Sequence, residues 1–235
     1  MNPTRTLSEF ALRWLRQYWS PKTILRESIH DFSLNWEREY SKPWDRRIAR
    51  CPDETDRLQL ARAVFPKKPT RSFEIYREAA AEGSAWSMWV VGWFYEQGIV
   101  VDRNLGQACK SFAGAIDSGF MRARKSYADV HFDAGNMTQV ESVLQPAIGE
   151  GYIPACYWLA SYRLRQQDYG GPYEAIEPLL VSAATEGHPL AIKTLSWLLM
   201  RGRLGFRRIP EGVRAHLALQ SVYYAGQKQP PNPAA

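Results

Sequence analysis

A glycine that closes a run of small residues recurs along this chain at Gly83, Gly119, Gly151 and Gly187, in the segments AAAEG, AIDSG, AIGEG and AATEG. A weaker copy, YYAG, ends at Gly226, and the steps between these glycines are 36, 32, 36 and 39 residues. A near-constant period in that range marks stacked two-helix units, in which no unit can bury its apolar face alone and neighbours share one core. The expected fold is all-α: a right-handed α-solenoid of helix pairs preceded by an N-terminal helical cap. The expected divisions are a cap or partner-docking region over 1–71, the solenoid over 72–226, and a Pro-rich disordered tail over 227–235.

The clearest unit runs from Gly83 to Gly119. Residues 85–95 read AWSMWVVGWFY, apolar on nearly every turn, which predicts a helix packed on both sides. Gly98 is the predicted stop, since glycine takes the left-handed conformation without steric cost. The loop that follows carries Asp102 and Asn104, residues suited to turns and N-caps. A second helix is predicted from Leu105, with Ala108, Phe112 and Ala115 on one face, ending at Gly119.

This unit resembles the Sel-one-like repeat, a relative of the tetratricopeptide repeat with a longer internal loop. Val91 stands at the family's Leu, and Gly92, Tyr95, Gly98, Val101, Ala108, Ala115 and Gly119 fall in register. Asn104 stands at the Asp and Phe112 at the Tyr. Val100 replaces the second loop glycine, so a different loop turn is expected there. The next unit keeps Ala123, Tyr127, Ala147 and Gly151, lacks four loop residues, and turns tightly at DAGN. The third keeps Ala155, Leu159, Ala183, Ala184 and Gly187. The fourth keeps Ala191, Leu195 and Gly202, with a longer loop, GRLGFRRIPEG, and a second helix expected over 213–224.

The first 71 residues fit the repeat poorly. Helices are expected from Thr4 or Thr6 to Trp19, from Pro21 to Trp36, and from Asp56 to Phe65, the last pairing with 73–81 as a degenerate first repeat. KPWDRRIARCPDET reads as turn-rich. Two readings of the N-terminal helices stand together: a cap, because a terminal repeat must turn one face to water, or a docking element, because Trp, Tyr and Arg dominate interface hot spots.

Net charge is +6, unevenly spread: 15 Lys/Arg against 9 Asp/Glu over 1–72, 6 against 10 over 73–152, and 9 against 5 over 153–235. Basic ends flanking an acidic middle suit a partner with an acidic patch. No run of 18 apolar residues and no signal peptide is found, and three Cys without metal spacing do not suit a disulfide scaffold, so a cytoplasmic, membrane-free location is expected. No phosphate loop, nucleophile elbow or zinc-protease motif is present, and the four His are scattered. His131 falls on a packing position of the repeat, and Cys109 and Cys156 lie inside expected helices. No catalytic residue, metal or cofactor is expected.

The resemblance implies a non-enzymatic adaptor or inhibitor that holds a protein partner, in its narrower forms a bacterial toxin-immunity protein or a secretion-associated regulator. The candidate partner-binding residues are Trp14, Trp19, Trp36, Arg46 and Arg47 at the N-terminus, and Trp86, Trp89, Trp93, Arg122, Tyr157 and Trp158 on the first helices of the units. Arg201, Arg203, Arg207 and Arg208 in the long loop complete the set. The alternative is a nucleic-acid-associated factor using the basic N- and C-terminal patches, in which the Arg residues neutralise phosphates and Phe206 stacks on a base.

Overall fold

The computed structural model describes residues 29–227. These residues form α1 (Ile29–Asp45), α2 (Glu54–Val64), α3 (Pro69–Ala81), α4 (Ala85–Gln97), α5 (Leu105–Asp117), α6 (Ala123–Asp133), α7 (Met137–Gly149), α8 (Pro154–Gln166), α9 (Glu177–Thr185), α10 (Pro189–Met200), a 3-10 turn (Phe206–Arg208) and α11 (Ile209–Gln227). No strand occurs among the described residues. The expected helix from Thr4 or Thr6 to Trp19, the start of the Pro21 helix and the tail beyond Gln227 lie outside them. Successive helices pack on one another, α2 through α7 in one run and α8 through α11 in another, so the fold is an all-α solenoid of helix pairs. The described chain falls into two compact units: residues 41–150, and residues 29–40 with 151–227.

The repeat-closing glycines earn their place by backbone geometry. Gly83, Gly119, Gly151 and Gly187 all have positive φ, between 83° and 100°. At three of them the chain closes a six-to-one bond over the glycine: Ser84 N–H to Ala79 O at 3.0 Å, Phe120 N–H to Ala115 O at 2.9 Å, and His188 N–H to Ala183 O at 3.0 Å. This is a Schellman ending, which satisfies carbonyls the helix leaves orphaned. Several helices start on a side-chain cap: Ser84 Oγ accepts from Ser87 N–H at the start of α4, and Asn104 and Asn136 accept from Gln107 and Gln139 N–H at the starts of α5 and α7.

In the 41–150 unit the layers are aromatic and alanine. Ala61, Phe73, Ile75, Tyr76, Val91 and Phe94 form one cluster, Ala85, Ala115, Phe120 and Ala123 a second, and Ala108, Phe112 and Val130 a third. The small residues let helices approach closely. At Gly92 the approach is tightest, because a Cβ there would lie 2.4 Å from the Phe112 ring. Glycine and a large aromatic thus belong together at these two repeat positions.

Four details correct the sequence reading. α1 runs to Asp45 rather than ending at Trp36. Its stripe Phe32, Trp36, Tyr40 continues at four-residue steps with Phe32 and Trp36 buried, and Pro43 falls in the last turns, where few backbone bonds are lost. α11 begins at Ile209, four residues earlier than expected, because Pro210 suits a first helical turn. Gly226 is helical within α11, one residue before the described residues end. Val100 keeps the glycine-like turn it was expected to alter, with φ of 71°. A β-branched residue is strained in that region. Val100→Gly is therefore expected to raise stability by about 1 kcal/mol, the relieved strain being partly offset by glycine's unfolded-state entropy. Urea unfolding of the two proteins measures it.

Candidate partner-binding site

The unit of residues 29–40 and 151–227 is built around a buried polar junction. His188, wholly buried, caps α10: its Nδ1 accepts from Ala191 N–H at 3.3 Å. That assigns the ring proton to Nε2, which donates to Glu37 Oε1 at 2.9 Å. Trp158 Nε1–H donates to the same oxygen at 3.1 Å. Trp36 and Tyr157 rings pack against the imidazole at 4.8 and 4.4 Å between centroids. One carboxyl thus ties α1, α8 and α10 together. Two sequence candidates are corrected here: Trp36 and Trp158 are 2% and 1% exposed and serve the core, not a partner. Aromatic side chains fill cores and interfaces alike, and local sequence does not separate the two.

That junction holds the start of α10, and another face of the helix is left partly open. Leu190, Lys193, Trp197 and Arg201 recur every three or four residues, with Thr194 beside Lys193 on the same face, while Ala191, Ile192, Leu195 and Leu198 face the core. With Tyr157, Tyr169, Met200 and His216, the first four line a groove of about 320 Å³. Tyr157 is the sequence candidate found in it, and its phenol is pushed up to about 12, first by burial and then by the nearby Glu37 carboxyl. It is therefore a neutral hydroxyl, hydrogen-bonded with Thr194. The Tyr169 ring stands edge-on to Trp197 at 6.0 Å, and the Arg201 guanidinium lies 4.7 Å over the Trp197 ring. Tyr169 is 45% exposed at φ of 59°, directly after Asp168 at 48°. Two consecutive non-glycine residues in the left-handed region cost about 1–3 kcal/mol each, and such strain concentrates at functional sites.

Other candidates are placed elsewhere. In the 41–150 unit, Trp86 is half-buried with Arg62 and Arg122 at 5.6 and 5.1 Å from its ring. Arg122 is also paired with Asp45 at 2.7 Å. Trp86 borders a second cleft of about 300 Å³, whose lining mixes Arg50 and Arg62 with Asp45 and Glu54. Trp89 donates to Ser126 Oγ at 2.8 Å, and Trp93 packs on Phe65 and Phe94. Arg46 and Arg47 are exposed, Arg47 lying 5.5 Å over Trp44. In the long loop, Arg201, Arg203 and Arg207 are exposed beside Phe206, itself 80% exposed. Arg208 differs from them: it pairs with Glu177 and Glu211 and pins the loop to α9. Trp14 and Trp19 lie outside the described residues. Tyr169, Leu190, Lys193, Trp197, Met200 and His216 were not singled out from sequence, although the 190–193–197–201 stripe was available once Ala191 and Leu195 were placed inward.

One nucleophile–base pair does form: Cys109 Sγ lies 3.7 Å from His131 Nε2, with the Tyr127 ring tilted against the imidazole at 4.5 Å between centroids. Burial raises the thiol and lowers the imidazole, so both are neutral at pH 7 and no thiolate–imidazolium pair exists. Burial also raises Cys51 and Cys156. All three Cys in the folded chain are expected to react with Ellman's reagent at pH 7 at least about tenfold more slowly than in urea; one fast thiol would contradict this. Among the described residues no group of three His, Cys, Asp or Glu is placed to hold a metal, and no helix is long and apolar enough to cross a membrane.

No protein-family model matches this chain, and no curated protein matches it. Among solved structures it is similar to a Sel1 repeat protein from Oxalobacter formigenes, with a TM-score of 0.56 and 20% identity, over 75% of this chain and 71% of that one. At that identity the likeness shows the fold: this chain is built as Sel1 repeats are, an α-solenoid of helix pairs.

Proposed function

We propose that this chain is a non-enzymatic adaptor that binds a protein partner, docking it in the groove formed by Tyr157, Tyr169, Leu190, Trp197 and His216. The observation that carries this reading is the exposed, strained aromatic rim of that groove, in which Tyr169 and Trp197 are held at its mouth rather than in the core. Open aromatic clefts with a few polar groups are where binding energy concentrates. The neutral Cys109–His131 pair supports a role without catalysis.

The test is affinity capture with the tagged full chain from its native host at low and moderate salt, read by mass spectrometry. One protein recovered in near-equal amount and retained as salt rises supports the reading. Nucleic acid that washes off between those salts would replace it with polyanion binding, whose affinity falls steeply with salt. The partner's identity decides the narrower forms: a toxin would make the chain an immunity protein, and a secretion component a regulator of export.

A further inference from the structure

The charge around the groove identifies what enters it. Residues 189–220 carry six Lys/Arg (Lys193, Arg201, Arg203, Arg207, Arg208, Arg214) against a single acid, Glu211. Of the six, Arg208 alone is held in ion pairs, with Glu177 and Glu211. The other five are exposed. Lys193 lines the groove and Arg201 covers the Trp197 ring; among the described residues no carboxylate is in its lining, although Asp168 stands next to Tyr169 in the chain. The walls themselves are apolar: Tyr157, Tyr169, Leu190, Trp197 and Met200.

We infer that this groove takes a peptide segment bearing a large apolar side chain flanked by carboxylates, the apolar group seating against Trp197 and Tyr169 and the carboxylates meeting Lys193 and Arg201. The inference rests on the adaptor reading and specifies its ligand. An apolar cleft alone would accept many side chains, and five exposed cations outside any ion pair would alone accept any polyanion. Together they select a ligand that offers both features within a few residues.

The experiment is a selection of random displayed peptides on the immobilised full chain at about 0.15 M salt. The best peptide is then titrated by fluorescence anisotropy against the native chain, Trp197→Ala, and the double variant Lys193→Glu/Arg201→Glu. Enriched sequences are expected to place Asp or Glu beside Trp, Phe or Leu, and each variant is expected to weaken binding roughly tenfold or more. The charge-reversal variant alters only exposed positions, so it keeps the test decisive if Trp197→Ala unfolds, which circular dichroism reports. Enrichment of neutral or basic peptides, equal binding by the charge-reversal variant, or tighter binding of oligodeoxythymidine than of the selected peptide would each overturn the inference. So would a failure of any peptide to enrich. Recovery of a protein by affinity capture despite such a failure would leave the adaptor reading standing and remove only this ligand assignment.

Discussion

Glu37→Ala is expected to lower stability by roughly 2–6 kcal/mol, because it strands two buried donors at about 1–3 kcal/mol each. Those donors are Trp158 Nε1–H and His188 Nε2–H, on side chains 1% and 0% exposed. Neither buried side chain can turn to water, and His188 Nδ1 is already occupied in capping α10. The loss falls on the junction that sets α8 and α10, so the groove should loosen with it. Glu37→Gln separates the hydrogen bonds from side-chain volume. Its amide oxygen still accepts from both donors, and the cost is expected to stay below about 1.5 kcal/mol. Urea unfolding of the three proteins measures the difference. Equal losses for the two variants would mean that the junction is not held by the acceptor.

Gly212→Ala is the second large effect, about 3 kcal/mol or more of destabilisation from overpacking. Gly212 is buried where α11 crosses α10. A Cβ there would lie 2.6 Å from Leu199 Cβ, 2.7 Å from Met200 N and 2.9 Å from Ser196 O. Two of those three atoms are backbone inside a helix, so the clash cannot be relieved by a rotamer change, and α11 must move away. Gly149→Ala is the control: a Cβ there meets nothing within 4 Å, and the same exchange at this helical position should be neutral or stabilising by up to about 1 kcal/mol. Thermal denaturation of both variants tests the pair. A Gly212→Ala protein as stable as the native chain would contradict the close approach of α10 and α11.

The helix pairing was legible because its signals are local. A glycine four residues past a small residue closes a Schellman turn whatever lies elsewhere in the chain, and Asn104 caps α5 from within its own loop. The tight turn at DAGN is equally local, with Gly135 at φ of 74°. The polar junction was not legible, since Glu37 and His188 are 151 positions apart and no spacing rule links them. The same limit misplaced Trp36 and Trp158: helical periodicity put them on faces that could pack or bind, and only the assembled unit decides. The groove was half legible. Tyr157 was named on the correct helix, but Trp197 was passed over because α10 was read through its inward residues, Ala191 and Leu195. Tyr169 carried no signal, because nothing in QDYGGPY announces a tyrosine forced to positive φ. Arg208 was grouped with its loop neighbours by charge, whereas Glu177, 31 residues earlier, removes it from them.

The most direct measurement is hydrogen–deuterium exchange of the full chain with and without its captured partner. Docking in the groove predicts slowed exchange confined to peptides around Tyr157, Tyr169, 190–201 and His216, with the peptides of 41–150 unchanged. Protection confined to 41–150, or to none of these segments, would contradict the placement of the partner on this face.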